Sequence, residues 1–203
     1  MLAGNLEQKK KYLPQIASGE KILAFALTEP SAGSDASGVR TTAKQEGDEW
    51  VINGSKCFIT CAEYAQVFTV IAQTDKSKGV KGLTAFLVEA DRPGISIGNH
   101  EDKMGIRTSN TCDVFFDNLR VPSDHIIGKV GDGFKIAMMT LDMARPVVGA
   151  VATGISQTCV DIAKDYMKQR VQFGKPLAAL QALQFKLADM EIATQTSRAM
   201  VYH

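Results

Sequence analysis

The sequence predicts an α+β fold: a short opening helix, a β-barrel-like middle region, then long helices to the end. Three observations predict it. Between Ile22 and Val130, short runs rich in Val, Ile, Phe and Thr alternate with turn-forming clusters. From Gly133 onward the strand-like runs stop and apolar residues crowd at helical spacing. Within the β region no Gly-x-Gly-x-x-Gly opens a helix, so a βαβ dinucleotide-binding unit is not supported. The expected boundaries are 1–21, 22–130 and 131–203.

The elements follow in order. Leu6, Lys9, Lys10 and Leu13 fall at helical spacing, with Pro14 near the end, so a helix is expected over residues 5–17. WVING is expected to end a strand at an Asn-Gly hairpin turn. KCFIT, QVFTVIAQT, LTAFLVEA, ISIG, CDVFFDNLRV and HIIGKV are further strand candidates, separated by GDE, DKSKGVKG, DRPG and GDG. Several short strands at this spacing suggest a barrel or a sandwich. The run from Phe134 to about Gln169 is apolar nearly all round, which predicts a buried helix kinked at Pro146. FGKP reads as a turn, and Leu180, Leu183, Leu187 and Met190 stripe a last helix from about Leu177. Two helices and a barrel leave apolar surface uncovered. The chain therefore reads as a piece of a longer protein or as an oligomer.

Composition narrows the function. At 45% hydrophobic and 22% charged, the 203 residues are ordinary globular material. A net charge of +1 gives no electrostatic case for nucleic acid or an acidic membrane. The basic cluster in LEQKKKYLP reads as a solvated helix face. Four scattered cysteines without a CxxC pair, and three histidines far from them, argue against zinc or a disulfide framework. Reduced thiols fit a cytosol-like compartment. No signal peptide is visible, and the uncharged run from Pro146 to Val160 falls short of the ~20 residues a span needs.

Residues 26–38 read ALTEPSAGSDASG, where Glu29 and Asp35 stand among small and turn-forming residues. The residues alone leave two readings open: an Asx-type surface turn, or a loop whose backbone lets a ligand approach closely. Here a resemblance enters. ALTEPSAGSDASG is similar to the first signature of the acyl-CoA dehydrogenases. WVINGSKCFIT resembles their next stretch, GFKIAMMTLDMARP their long helix, and RVQFGKPLAALQALQFKLADM the turn and helix after it. The order and spacing also match, over nearly the whole chain. The short-chain, butyryl-CoA-type enzymes are the nearest in kind.

The resemblance implies the end of an N-terminal helical domain, a middle β-domain and the opening helices of a C-terminal bundle. It implies FAD as cofactor, an acyl-CoA substrate, an electron-transferring flavoprotein as partner, and a homo-oligomer, tetramer or dimer. The reaction would be α,β-dehydrogenation to a trans-2-enoyl-CoA, in a bacterial cytoplasm or a mitochondrial matrix. It places Phe25, Leu27 and Thr28 along the isoalloxazine, Gly33 and Ser34 at the pyrophosphate, and Ser34 also at the acyl-CoA. Phe58 and Thr60 would stand against the flavin. Asp142 and Arg145 would meet the CoA end, although a buried i, i+3 ion pair competes. Arg170, Phe173 and Gln181 would reach the FAD of a neighbouring subunit. Ala144 stands where some members carry their catalytic glutamate, so no catalytic residue is assigned; the base is expected past His203. Glu29 and Asp35 are expected to cap local N–H groups. An acyl-CoA oxidase or flavin monooxygenase relative, or a non-catalytic oligomerising piece, are the alternatives.

Overall fold

The computed structural model describes residues 3–203, so Met1 and Leu2 lie outside it. The chain divides into two compact units, one up to Met139 and one from Thr140. Each is described by itself.

The first unit opens with helix α1, Leu6–Ala17. Asn5 caps it: its side chain accepts from Gln8 N at 2.8 Å while Gln8 Oε1 accepts from Asn5 N at 3.1 Å. Gln8 Nε2 also donates to Asp124 O and Ile126 O, at 2.8 and 2.9 Å, which docks the helix. Farther along, Tyr12 is buried, and its hydroxyl and Lys11 Nζ both donate to Glu89 Oε1 at 2.8 Å. Arg92 pairs with the other carboxylate oxygen at 3.0 Å. Burial pushes the Glu89 carboxyl up, but hydrogen bonds from Lys11 and Tyr12 outweigh it and hold the group down at about 2. A lowered folded value means that Glu89 stabilises the fold above its unfolded range, near 4.5, and that this is lost as pH falls towards 2. Glu89→Gln should therefore melt below the parent chain at pH 7, with the gap closing between pH 4.5 and 2. A gap that persists at pH 2 would contradict the assignment.

Eight strands form one sheet: β1 Leu23–Ala26, β2 Thr42–Glu46, β3 Glu49–Thr60, β4 Val67–Gln73, β5 Leu83–Glu89, β6 Ile95–His100, β7 Thr111–Pro122 and β8 Ile126–Ile127. The order is β6-β7-β3-β2-β4-β5-β8, with β1 parallel beside β4. The α+β class is as expected, but the path ends at β6 and β8 without pairing them, so no closed barrel forms. The expected HIIGKV strand shrinks to the two residues of β8, which leaves little edge to close with. β2 was not among the expected strands, because Ala43 is its one buried residue and TAKQE otherwise faces outward. Phe68, Phe86, Ile52, Ile59, Val114 and Leu119 fill the core, and the Trp50 and Phe86 rings pack at 5.6 Å.

The Asn-Gly turn does not exist. β3 runs straight through Asn53 and Gly54. The hairpin turn lies earlier, at Gly47-Asp48, where Gly47 takes φ +62°. Asn53 instead serves a bulge in β7: its Oδ1 accepts from Asn118 N at 2.8 Å, and the register slips between Ile52 and Gly54. Gly54 has φ +147°, and a Cβ there would lie 2.7 Å from Thr41 Cα. Close approach of Thr41, the residue just before β2, explains this glycine better than a turn does.

Helix α2, Gly133–Gln169, begins at the end of this unit and carries into the second. Pro146 lies inside it without ending it. Burial is not as expected, since Val147, Val148, Val151, Ile155 and Ile162 are exposed. An all-round apolar sequence reports a surface that wants cover, not the cover itself. The expectation about a membrane span also changes. The helix is long and apolar enough to cross a bilayer by length and composition alone, with mean hydropathy 1.2 over its most apolar 18 residues. Counting uncharged residues from Pro146 missed the apolar turns before it.

After α2, strands β9 Val171–Gln172 and β10 Lys175–Pro176 form a small hairpin, and helix α3, Gln181–Tyr202, follows. Arg198 Nη2 and Gln195 Nε2 reach back to Gln157 Oε1, at 2.9 and 3.4 Å, and link α3 to α2.

Candidate functional site

β1 alternates as a half-buried strand should. Ala24 and Ala26 point into the core, and Phe25 sits between them, half-buried on the other face. The chain then leaves the sheet. The Leu27 side chain is buried, so only its backbone can serve a ligand. Thr28 is half-buried, and its carbonyl accepts from Cys57 N at 2.9 Å. Glu29 and Ala32 exchange two backbone hydrogen bonds of 3.0 Å, which folds Pro30 and Ser31 into a tight turn. Gly33 and Ser34 come next and are exposed. A Cβ on Gly33 would meet nothing within 4 Å, so its own chain does not require a glycine there. Asp35 accepts from Ser37 N at 3.1 Å and from the Ser37 hydroxyl, as a local cap.

β3 supplies the neighbouring wall. Between Lys56 and Ile59 the strand carries one more residue than β7 opposite, a β-bulge. Without it, Lys56, Phe58 and Thr60 would share a face. With it, Lys56, Cys57 and Ile59 are buried, and Phe58 and Thr60 face outward. Phe58 is 61% exposed and has φ +57°, a left-handed conformation that is unusual for a bulky residue. The Cys57 N–Thr28 O bond sets this ring beside the loop. An outward aromatic ring in a rare backbone state, next to an open small-residue loop, fits a flat aromatic ligand such as a flavin.

Beneath the loop lies a group that the sequence reading missed. Lys56 Nζ is 2.8 Å from Glu29 Oε1, with the two side chains 0% and 4% exposed. It also donates to Leu27 O at 3.0 Å. Glu29 accepts in addition from Arg40 N at 2.7 Å and Thr41 N at 2.9 Å. Burial acts against both charges. For Lys56 it wins, bringing the amine down to about 8 despite Glu29. For Glu29 burial is also the largest influence, but the Lys56 charge and the hydrogen bonds around the carboxylate outweigh it and keep the group below its ordinary value. Glu29 is thus far more than a surface cap.

The remaining expected residues lie in the second unit. Asp142 and Arg145 form an ion pair of 2.9 Å one turn apart on α2, and both are exposed. The buried pair held as the alternative is therefore not what forms. Arg170 directly follows α2, and its carbonyl accepts from Leu177 N at 2.8 Å. Phe173 tips the β9–β10 hairpin, 91% exposed at φ +52°. Gln181 is the first residue of α3.

Comparison with known proteins is decisive about kinship. The family described as "Acyl-CoA dehydrogenase, middle domain" matches residues 24–119, and "Acyl-CoA dehydrogenase, C-terminal domain" matches residues 131–203. An acyl-CoA dehydrogenase of Bacillus subtilis is 48% identical over 98% of this chain and 53% of its own length. The structure of butyryl-CoA dehydrogenase from Megasphaera elsdenii superposes with TM-score 0.96 at 49% identity, over 98% of this chain and 52% of that one. A chain from a structure described as the electron transferring flavoprotein of Acidaminococcus fermentans gives TM-score 0.97 at 48% identity, over 100% of this chain and 53% of that one. The chain spans about half the length of the curated relatives it matches. The two domain matches together take in most of the chain, the fold agrees with them, and the chain belongs to the acyl-CoA dehydrogenase family.

Proposed function

We propose that this chain is the FAD-holding part of an acyl-CoA dehydrogenase. The reaction is α,β-dehydrogenation of an acyl-CoA thioester to the trans-2-enoyl-CoA, with electrons passed on to an electron-transferring flavoprotein. The observation that carries the reading is Phe58, turned outward at a bulge and fastened beside Thr28. When bound, FAD supplies the acceptor for the substrate's β-hydrogen as hydride. The Phe58 ring covers a flavin face, with Thr60 beside it. Phe25, Leu27 and Thr28 offer backbone groups and the Thr28 hydroxyl. Gly33 and Ser34 present unobstructed N–H groups to the pyrophosphate, and Ser34 also meets the acyl-CoA. Asp142 and Arg145 hold the CoA end, a role that their exposure leaves open to them. Arg170, Phe173 and Gln181 serve the FAD of a neighbouring subunit, where the planar fork of Arg170 suits a pyrophosphate.

A general base is a different matter. Removing a weakly acidic α-proton calls for a carboxylate whose pKa is raised. Glu29 is held below its ordinary value and is occupied by Lys56, Arg40 and Thr41. Asp35 is occupied by Ser37. Position 144 is alanine. The chain alone is therefore proposed to bind FAD without turning over substrate. The exposed apolar side of α2 supports assembly into a dimer or tetramer. Four free cysteines suit a bacterial cytoplasm or mitochondrial matrix.

The test is a visible spectrum of the chain incubated with FAD, desalted and mixed with butyryl-CoA. The expected result is a retained flavin band that does not bleach. Bleaching would place a base within these residues. A colourless protein would remove the flavin reading of this chain.

A further inference from the structure

We infer that Lys56 and Glu29 are positioning residues, which order the flavin-facing loop before any cofactor arrives. The inference rests on the flavin reading above. The bonds of this pair have a pattern that simple stabilisation does not require. Lys56 Nζ holds Leu27 O at 3.0 Å and Glu29 Oε1 at 2.8 Å, at the start of the loop. Glu29 then holds Arg40 N and Thr41 N, where the loop rejoins the sheet at β2. The chain between them carries Gly33 and Ser34 and is clamped at both ends by one buried carboxylate. The next residue after the lysine, Cys57, binds Thr28 O, and the one after that is Phe58. One bulge thus fixes both the loop and the exposed ring relative to each other.

An apolar side chain would fill the space of Lys56 without desolvating an ammonium, and such replacements of buried ion pairs are often neutral or stabilising. What the pair supplies instead is direction. It pins the Leu27 carbonyl and the Glu29 carboxylate inward, so that the Thr28 hydroxyl and the open N–H groups of residues 33 and 34 are left for a ligand. Ordering a loop in advance removes the entropy cost of doing so on binding.

The test compares the chain with its Lys56→Met/Glu29→Leu variant, which removes the pair without stranding a charge. Amide hydrogen exchange is read at Ala32 and Cys57, whose acceptors are the backbone oxygens of Glu29 and Thr28. No substituted side chain makes those bonds. FAD affinity is read by quenching of flavin fluorescence. The expected result is a loss of protection at these two amides of about tenfold, and an FAD Kd raised by about tenfold or more, while β4 amides stay protected. Unchanged protection with a Kd within about twofold would overturn the inference and leave the pair purely structural. If the double variant does not fold, the near-isosteric Glu29→Gln is read in the same way, with the same expected losses. If the parent chain binds no FAD while the exchange arm behaves as expected, the flavin reading itself falls, and the inference falls with it.

Discussion

Lys56→Met alone lowers the stability of this chain by about 3–5 kcal/mol, the usual cost of breaking a buried ion pair by deleting one partner. The reason lies in what is left behind. Glu29 would remain 4% exposed with only the Arg40 and Thr41 amides as donors. Leu27 O would lose its partner as well. A buried carboxylate without its cation shifts its pKa upward and takes a proton, and it then stabilises the fold less. For a chain of this size the loss corresponds to a fall in melting temperature of roughly 6–20 °C. The double variant Lys56→Met/Glu29→Leu should recover most of it, because no charge is stranded. Urea unfolding of the three proteins at pH 7 measures the loss and its recovery, and thermal unfolding measures the shift in melting temperature. A single variant within about 1 kcal/mol of the parent would mean that the pair is not the buried contact described.

Gly133→Ala should cost about 1–3 kcal/mol, although alanine is the better helix former. Gly133 starts α2 where the helix meets β5. A Cβ there would lie 2.6 Å from Thr84 C and 2.7 Å from Leu83 C. These are backbone atoms of a core strand and cannot step aside as a flexible side chain would. Gly131 N already donates to Thr84 Oγ1 at 3.0 Å, so the approach is held from two points. The first turn of α2 must therefore move. An unfolding midpoint equal to or above the parent's would show that the helix start has room that the structure does not give it.

Much of the candidate site can be proposed from the sequence because it is local. The loop from Ala26 to Gly38 announces itself by its missing bulk, and Phe58 by the motif around it. Lys56 was not legible. A lysine between Ser55 and Cys57 in a strand reads as a solvent-facing residue, since lysine is almost never fully buried unless paired. The signal that could have found it is Cys57-Phe58-Ile59, three apolar residues in a row that break the alternation and hint at a bulge. Asn53-Gly54 misled for a related reason. The dipeptide marks tight turns, but here Asn53 serves a bulge on the partner strand and Gly54 makes room for Thr41. Register slips of this kind depend on the strand opposite, which one run of residues does not reveal. The same holds for sheet closure: the alternation shows which residues face inward, not whether β6 and β8 will meet. For α2 the sequence shows that Val147, Val151 and Ile155 are apolar, and the structure shows them exposed; an apolar pattern does not say whether neighbouring elements cover it.

Residues 25–34 and 58–60 are proposed to form one flavin-facing surface. The most direct test is a titration of the isotope-labelled chain with FAD, followed by two-dimensional amide spectra. The account predicts saturable shifts concentrated at Thr28, Gly33, Ser34, Phe58 and Thr60, with the β5 core undisturbed. Shifts absent from those five amides, or gathered on another face of the chain, would contradict it.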